Sequence, residues 1–178
     1  MKINILLLLS LVILIPLSTR SCVQGAEKSL TVSPLSITFH PLIDKVAKEK
    51  LANKVNNSST TLHPGIHLVY KSGRTITGAY LFKDSFGNVG GGVLHGINYT
   101  FLNYFSIGAA AGAYVRERTP ENIKDFPVSI KTEKIEVTPL GGVTVGAEVP
   151  INNVHGIEAN CLLTVMANNC SIGLKFKW

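Results

Sequence analysis

Three side chains in this sequence have the types that acyl chemistry uses: His40, Asp84 and Ser85. An imidazole takes and returns a proton near neutral pH, a carboxylate orients it, and a hydroxyl attacks or polarises an ester. The acid and the hydroxyl are adjacent in "AYLFKDSFGN", residues 79–88, where an apolar alternating run stops. The same residues suit a hairpin tip, because Asp, Ser, Gly and Asn are turn formers. Nothing else in the chain points to other chemistry. It holds no CxxC, no HExxH and no Gly-rich phosphate loop, so neither a metal nor a cofactor is expected. His40 and Asp84 are far apart in sequence and meet only if the fold brings two segments to one edge.

The elements that could do so are written in alternation. In "CSIGLKFKW", Cys170, Ile172, Leu174, Phe176 and Trp178 fall on one parity, against Ser171, Gly173, Lys175 and Lys177. "IEVTPLGGVTVGAEV", "GIEANCLLTV" and "FSIGAAAGAYVR" repeat the pattern, each with one uninterrupted apolar face. Several such strands of about ten residues exceed the needs of a small soluble core and match a barrel with lipid outside and a polar lumen. No run after the first residues is long enough for a transmembrane helix, and a closed barrel is the other way across a bilayer. The expected fold class is all-β, an eight-stranded antiparallel outer-membrane β-barrel. Its strands are expected near 31–40, 62–72, 75–86, 91–102, 104–116, 134–149, 155–166 and 170–178.

The beginning of the chain reads as a secretory signal. Lys2 precedes the apolar "INILLLLSLVILIPL", and cleavage after Gly25 would leave a single domain, 26–178. Losing Lys2 and Arg20 leaves 15 basic residues against 11 acids, a net charge of +4. That mild excess suits a phosphate-bearing lipid surface and is too weak and dispersed for nucleic acid. Arg116, Arg118, Lys124, Lys131 and Lys134 are candidates to meet such phosphates.

The topology then sorts the connections. Short ones at 73–74, 103 and 150–154 fall at one end. Long outer loops at about 41–61 and 117–133 fall at the other, with outer turns at 87–90 and 167–169. Strands one and three both run outward, so His40, on the inward parity of Ser36 and Thr38, reaches the same rim as Asp84 and Ser85. The 167–169 turn would set Cys170 opposite Met166, with Cys161 about 16 Å away, too far to bridge. The expectation is therefore no Cys161–Cys170 disulfide.

At this point the residues resemble the lipid A palmitoyltransferases of Gram-negative outer membranes, the PagP type. "LSITFHPLIDK" looks like that family's segment around its essential histidine, and "GAYLFKDSFGN" like its segment with the adjacent Asp-Ser. "GGVLHGINYTF", "GAAAGAYVRER" and "VTPLGGVTVG" continue the similarity across roughly 35–178. The resemblance implies His40, Asp84 and Ser85 as catalytic residues, Gly96 as the floor of an acyl-chain pocket, and Pro139 at a lateral opening. The family's amino-terminal helix has no counterpart, and Met166 stands near its other gating proline. The implied activity moves a fatty acyl chain, palmitate being the expected one, from a phospholipid donor to lipid A in lipopolysaccharide. Whether Ser85 attacks or assists stays open. The implied protein is a membrane-embedded monomer of the outer membrane. The alternative is a non-catalytic small barrel acting as a structural, adhesive or resistance factor.

Overall fold

The computed structural model describes residues 27–39, 60–84, 88–102, 104–117, 129–164 and 168–178. Nine strands follow in order: β1 (Lys28–Phe39), β2 (Thr60–Ser72), β3 (Thr75–Lys83), β4 (Val89–Phe101), β5 (Phe105–Glu117), β6 (Ile130–Lys131), β7 (Ile135–Pro150), β8 (His155–Leu163) and β9 (Asn168–Lys177). All pairings are antiparallel. β5 pairs with both β4 and β7, and β1 with both β2 and β9. Eight strands thus close into a barrel, and two-residue β6 adds to the outer end of β7 beside β8. The fold is that of an eight-stranded outer-membrane barrel, as the alternation predicts. Among the described residues no helix is long and apolar enough to cross a membrane, which for a barrel is immaterial.

Side-chain period sets the two faces. Ile172, Leu174, Ile157, Ile107, Ile97 and Val143 are exposed on the outside, while Ser171, Lys175, Glu158, Ser106, Asn98 and Thr144 are buried inside. The core of a soluble protein is here turned outward, as a barrel in hydrocarbon requires. Aromatic rings gather on the outside near the short turns. Tyr70 lies against Trp178 at 6.3 Å, Phe101 against Phe105 at 5.9 Å, and the Arg74 guanidinium sits 5.4 Å from the Tyr99 ring centre. Rings with a polar partner suit the headgroup level of a bilayer.

β1 shows a feature that parity alone does not give. Its inward residues are Ser29, Thr31 and Ser33, then Ser36 and Thr38, so the alternation skips a beat. Pairing with both neighbours shifts at this point, between Ser33 and Leu35 on one side and Val32 and Leu35 on the other. Pro34 lies in the gap, and lacking an N–H it cannot join the ladder; a bulge absorbs it and restores the polar face.

The ends of β8 and β9 correct two expectations. β8 stops at Leu163 rather than 166, and β9 starts at Asn168 rather than 170. Leu163 faces Asn168, whose side-chain oxygen accepts from the Thr164 N–H at 3.2 Å. Asn168 therefore closes the hairpin from within the stretch read as turn, and the register moves by five residues. Cys161 then lies directly opposite Cys170, with Cα atoms 4.0 Å apart, and the two form a disulfide on the outward face. The expectation of no bridge is overturned, because it rested on the misplaced turn.

The bridge closes a nine-residue separation, worth about 2–3 kcal/mol by loop entropy. Cys161→Ala/Cys170→Ala should therefore lower the urea midpoint of the folded barrel in detergent. Reducing agent should do the same to the wild type and nothing to the double variant. An unchanged midpoint in both experiments would show that the thiols are unbridged.

Candidate functional site

The inward residues at the outer end form a linked set. Asp84 follows β3 directly, and its backbone N–H donates to Asn88 O at 2.8 Å while its Oδ1 accepts from Asn88 N–H at 2.9 Å. This pair of bonds ties the β3–β4 turn at its base. The other carboxylate oxygen of Asp84 accepts from the Tyr114 hydroxyl at 3.3 Å and lies 3.7 Å from Arg116 Nη1. Arg116 in turn grips Glu136, with Nε donating at 2.7 Å and Nη2 at 2.5 Å, and Ser129 Oγ donates to the second Glu136 oxygen at 2.7 Å. Cross-strand register brings this about, since Arg116 on β5 stands directly opposite Glu136 on β7. Glu136 is fully buried, so its charge depends on that partner.

Arg116 thereby leaves the set of outer bases proposed for lipid phosphates. Its side chain is turned inward and almost fully buried against Glu136. Parity explains the correction: Arg116 continues the inward row of Ser106, Gly108, Gly112 and Tyr114. Lys131 and Lys134 stay exposed, whereas Arg118 and Lys124 lie outside the described residues.

Beneath the rim, rings from three strands stack. Tyr80 and Phe82 of β3 lie 5.6 Å apart, Phe82 and Tyr114 of β5 5.9 Å apart, and His67 of β2 sits 5.5 Å from Phe82 and 5.8 Å from Tyr80. Gly90 makes the room: a methyl there would collide with the Tyr114 ring. Deeper still the lumen is ionic. Lys71 pairs with Glu158 at 2.6 Å, Lys175 with Glu148 at 2.6 Å and Glu158 at 3.5 Å, and Lys177 with Glu148 at 2.5 Å and Glu27 at 3.3 Å. Thr31 Oγ1 donates to Glu158 as well.

The site residues expected from sequence divide three ways. Asp84 is at the outer mouth, as placed. His40 and Ser85 lie outside the described residues, although β1 ends one residue before His40 and Asp84 immediately precedes Ser85. Gly96 is at mid-strand, opposite Ile76 and Ala110, and a methyl on it would meet the β5 backbone at Ala109 and Ala110. Pro139 faces outward on β7, paired to Ala113 on the β5 side. On its β8 side, described pairing stops at Val143–Leu163 and resumes with β6 only at Val137, leaving 138–142 between.

Sequence reasoning passed over His63, Tyr114 and Glu136. His63 is buried on β2, and its Nδ1 donates to the Lys83 carbonyl at 2.6 Å. A parity reading of "LHPGIHLVY" could have found it, since His63 and His67 share the polar face with Lys71. Among the described residues no group of His, Cys, Asp or Glu is placed to hold a metal ion.

Removing one partner of a buried pair leaves the other charge stranded. Arg116→Met should therefore cost about 3–5 kcal/mol in urea unfolding. Arg116→Met/Glu136→Met should recover much of the loss, and a double variant no better than the single one would contradict the pairing.

No known family pattern matches the chain, and no curated protein matches it by sequence. Among solved structures, the chain is similar to Ail, the attachment invasion locus protein of Yersinia pestis, crystallised in complex with the heparin analogue sucrose octasulfate. The identity is 12%, the match covers 87% of this chain and 100% of that one, and the TM-score is 0.40.

Proposed function

We propose that this barrel is an outer-membrane acyltransferase of Gram-negative cells. It would move a fatty acyl chain, palmitate being the expected one, from a phospholipid to lipid A. One observation carries the reading: β1 and β3, which lead to His40 and to Asp84–Ser85, run the same way and end at one mouth with only β2 between them. The Asp84 carboxylate is turned inward at that mouth. In this reading His40 moves the proton, Asp84 orients it or balances its charge, and Ser85 attacks or polarises the ester.

Two further features support a lipid substrate. The interior changes from stacked rings to an ionic network along its depth, so an acyl chain entering from the rim would end where the charges begin. Gly96, between Ile76 and Ala110, is the proposed floor. The stretch 138–142 of β7, which includes Pro139, is the proposed lateral route, because proline cannot complete a ladder.

A second reading, a non-catalytic barrel with a structural, adhesive or resistance role, draws on the bonds of Asp84. Both its oxygens are committed to Asn88, Tyr114 and Arg116, a use that needs no reaction. Mass spectrometry of lipid A separates the two. Cells making the wild-type protein should show lipid A heavier by one acyl chain. Ser85→Ala and His40→Ala should abolish that mass while the barrel keeps its heat-modifiable migration. Unaltered lipid A with the assembled wild type would favour the second reading.

A further inference from the structure

The lower rim of the barrel, where the short turns lie, differs from one side to the other. On the β1–β3 side it is charged: Glu27 and Lys28 stand at the start of β1, and the β2–β3 turn reads "KSGR". On the other side, "FLNYFSI" at the β4–β5 turn and "VPINNVHGI" at the β7–β8 turn hold no Asp, Glu, Lys or Arg. Leu102, Tyr104, Val149, Ile151 and Val154 are all exposed there. Backbone bonds join these tips. The Glu148 N–H donates to the Tyr104 carbonyl at 2.7 Å, and the Lys177 N–H to the Val154 carbonyl at 2.8 Å. The second bond sets Val154 beside the end of β9, so the apolar tips and Trp178 form one rim.

Two details show that the tips are not shaped for water. The β2–β3 turn uses glycine in the left-handed region, Gly73 at φ 56°, whereas at the β4–β5 turn Leu102 holds φ 53°. A bulky side chain is strained there, and a leucine 74% exposed finds little protein to pack on in return. The β7–β8 turn, for its part, satisfies its own donors. The Ile151 and Asn152 N–H groups donate to the His155 carbonyl at 2.9 and 3.1 Å, and the Val154 and His155 N–H groups to Asn152 Oδ1 at 2.9 and 2.8 Å. Backbone that leaves water needs such internal partners. The rim also continues the lipid-facing wall, through the exposed Phe101, Phe105, Ile157 and Phe176.

We propose that the β4–β5 and β7–β8 turns, together with Trp178, are immersed in the phospholipid leaflet on the short-turn side, at the boundary of headgroups and acyl chains. Uncharged tips bearing Leu, Ile, Val, Tyr and Trp fit that layer, where amphipathic rings settle and buried charge is costly. Lipid also explains the strained Leu102, whose side chain gains there the apolar surroundings that the protein does not supply. The contact follows from the barrel and its turns and does not rest on acyl transfer.

The test uses the whole barrel in phospholipid nanodiscs, which leave both faces open to solvent. Trp178 is the only tryptophan, so its emission reports one end of the rim in the wild type. In a Trp178→Phe background, Leu102→Trp and Val154→Trp report the two turns, and Lys134→Trp reports the exposed outer end. Phospholipid brominated near the headgroup end of its acyl chains should quench the wild type, Leu102→Trp and Val154→Trp about two-fold or more, and Lys134→Trp little. Iodide in the buffer should do the reverse. Val154→Trp leaves the strained position untouched, and heat-modifiable migration checks that each variant is folded. Quenching of Leu102→Trp or Val154→Trp by iodide and not by brominated lipid overturns the immersion, and the rim is then a surface in water for a protein partner.

Discussion

Closure of the backbone hydrogen-bond ladder is the constraint on which the molecule depends. In hydrocarbon an unpaired N–H or C=O costs several kcal/mol, and a sheet with two free edges would carry rows of them. Here the first strand pairs with the last, Lys28–Phe39 against Asn168–Lys177, so the ring closes, and among the described residues 138–142 of β7 is a stretch without a partner on its β8 side. The exception that proline imposes on β1 is absorbed by a bulge at Pro34. Everything inside the barrel is positioned by that closed register, including the juxtaposition of Arg116 with Glu136 and of Ser36 with His63.

Once the ring is closed, the interior sorts itself by depth. Small and aromatic side chains share the upper part, where β1 and β9 contribute serines and β3 and β5 contribute rings. Lysines and glutamates fill the lower part and neutralise each other. Burial makes each of these pairs all-or-none, since a buried charge tolerates the loss of its partner poorly. The upper end is held the same way by Asp84, Arg116 and Glu136, so both ends of the interior are braced by paired charges.

The barrel, its eight spanning strands and its in-and-out faces were legible because period two is a local property of the chain. "CSIGLKFKW" shows its lipid face and its lumen face without reference to any neighbour. Asp84 at the mouth was legible for the same reason, through strand direction and parity. Pairings were not. The alternation of "CLLTV" runs past the point where β8 stops pairing, and Asn168 closes the turn, so the partner of Cys161 could not be read from either strand alone. Glu136 as the partner of Arg116, and Ser36 as the partner of His63, likewise depend on register across strands and on a bulge that the alternation shows only as a skipped beat.

The ionic network at the lower end has a consequence for traffic across the membrane. Lys71, Lys175 and Lys177 face Glu27, Glu148 and Glu158, three positive groups against three negative. Such a balanced stopper presents no net field to draw ions along the axis. With each charge of this network held by an opposite one, the lower end offers a passing ion no uncompensated group among these six.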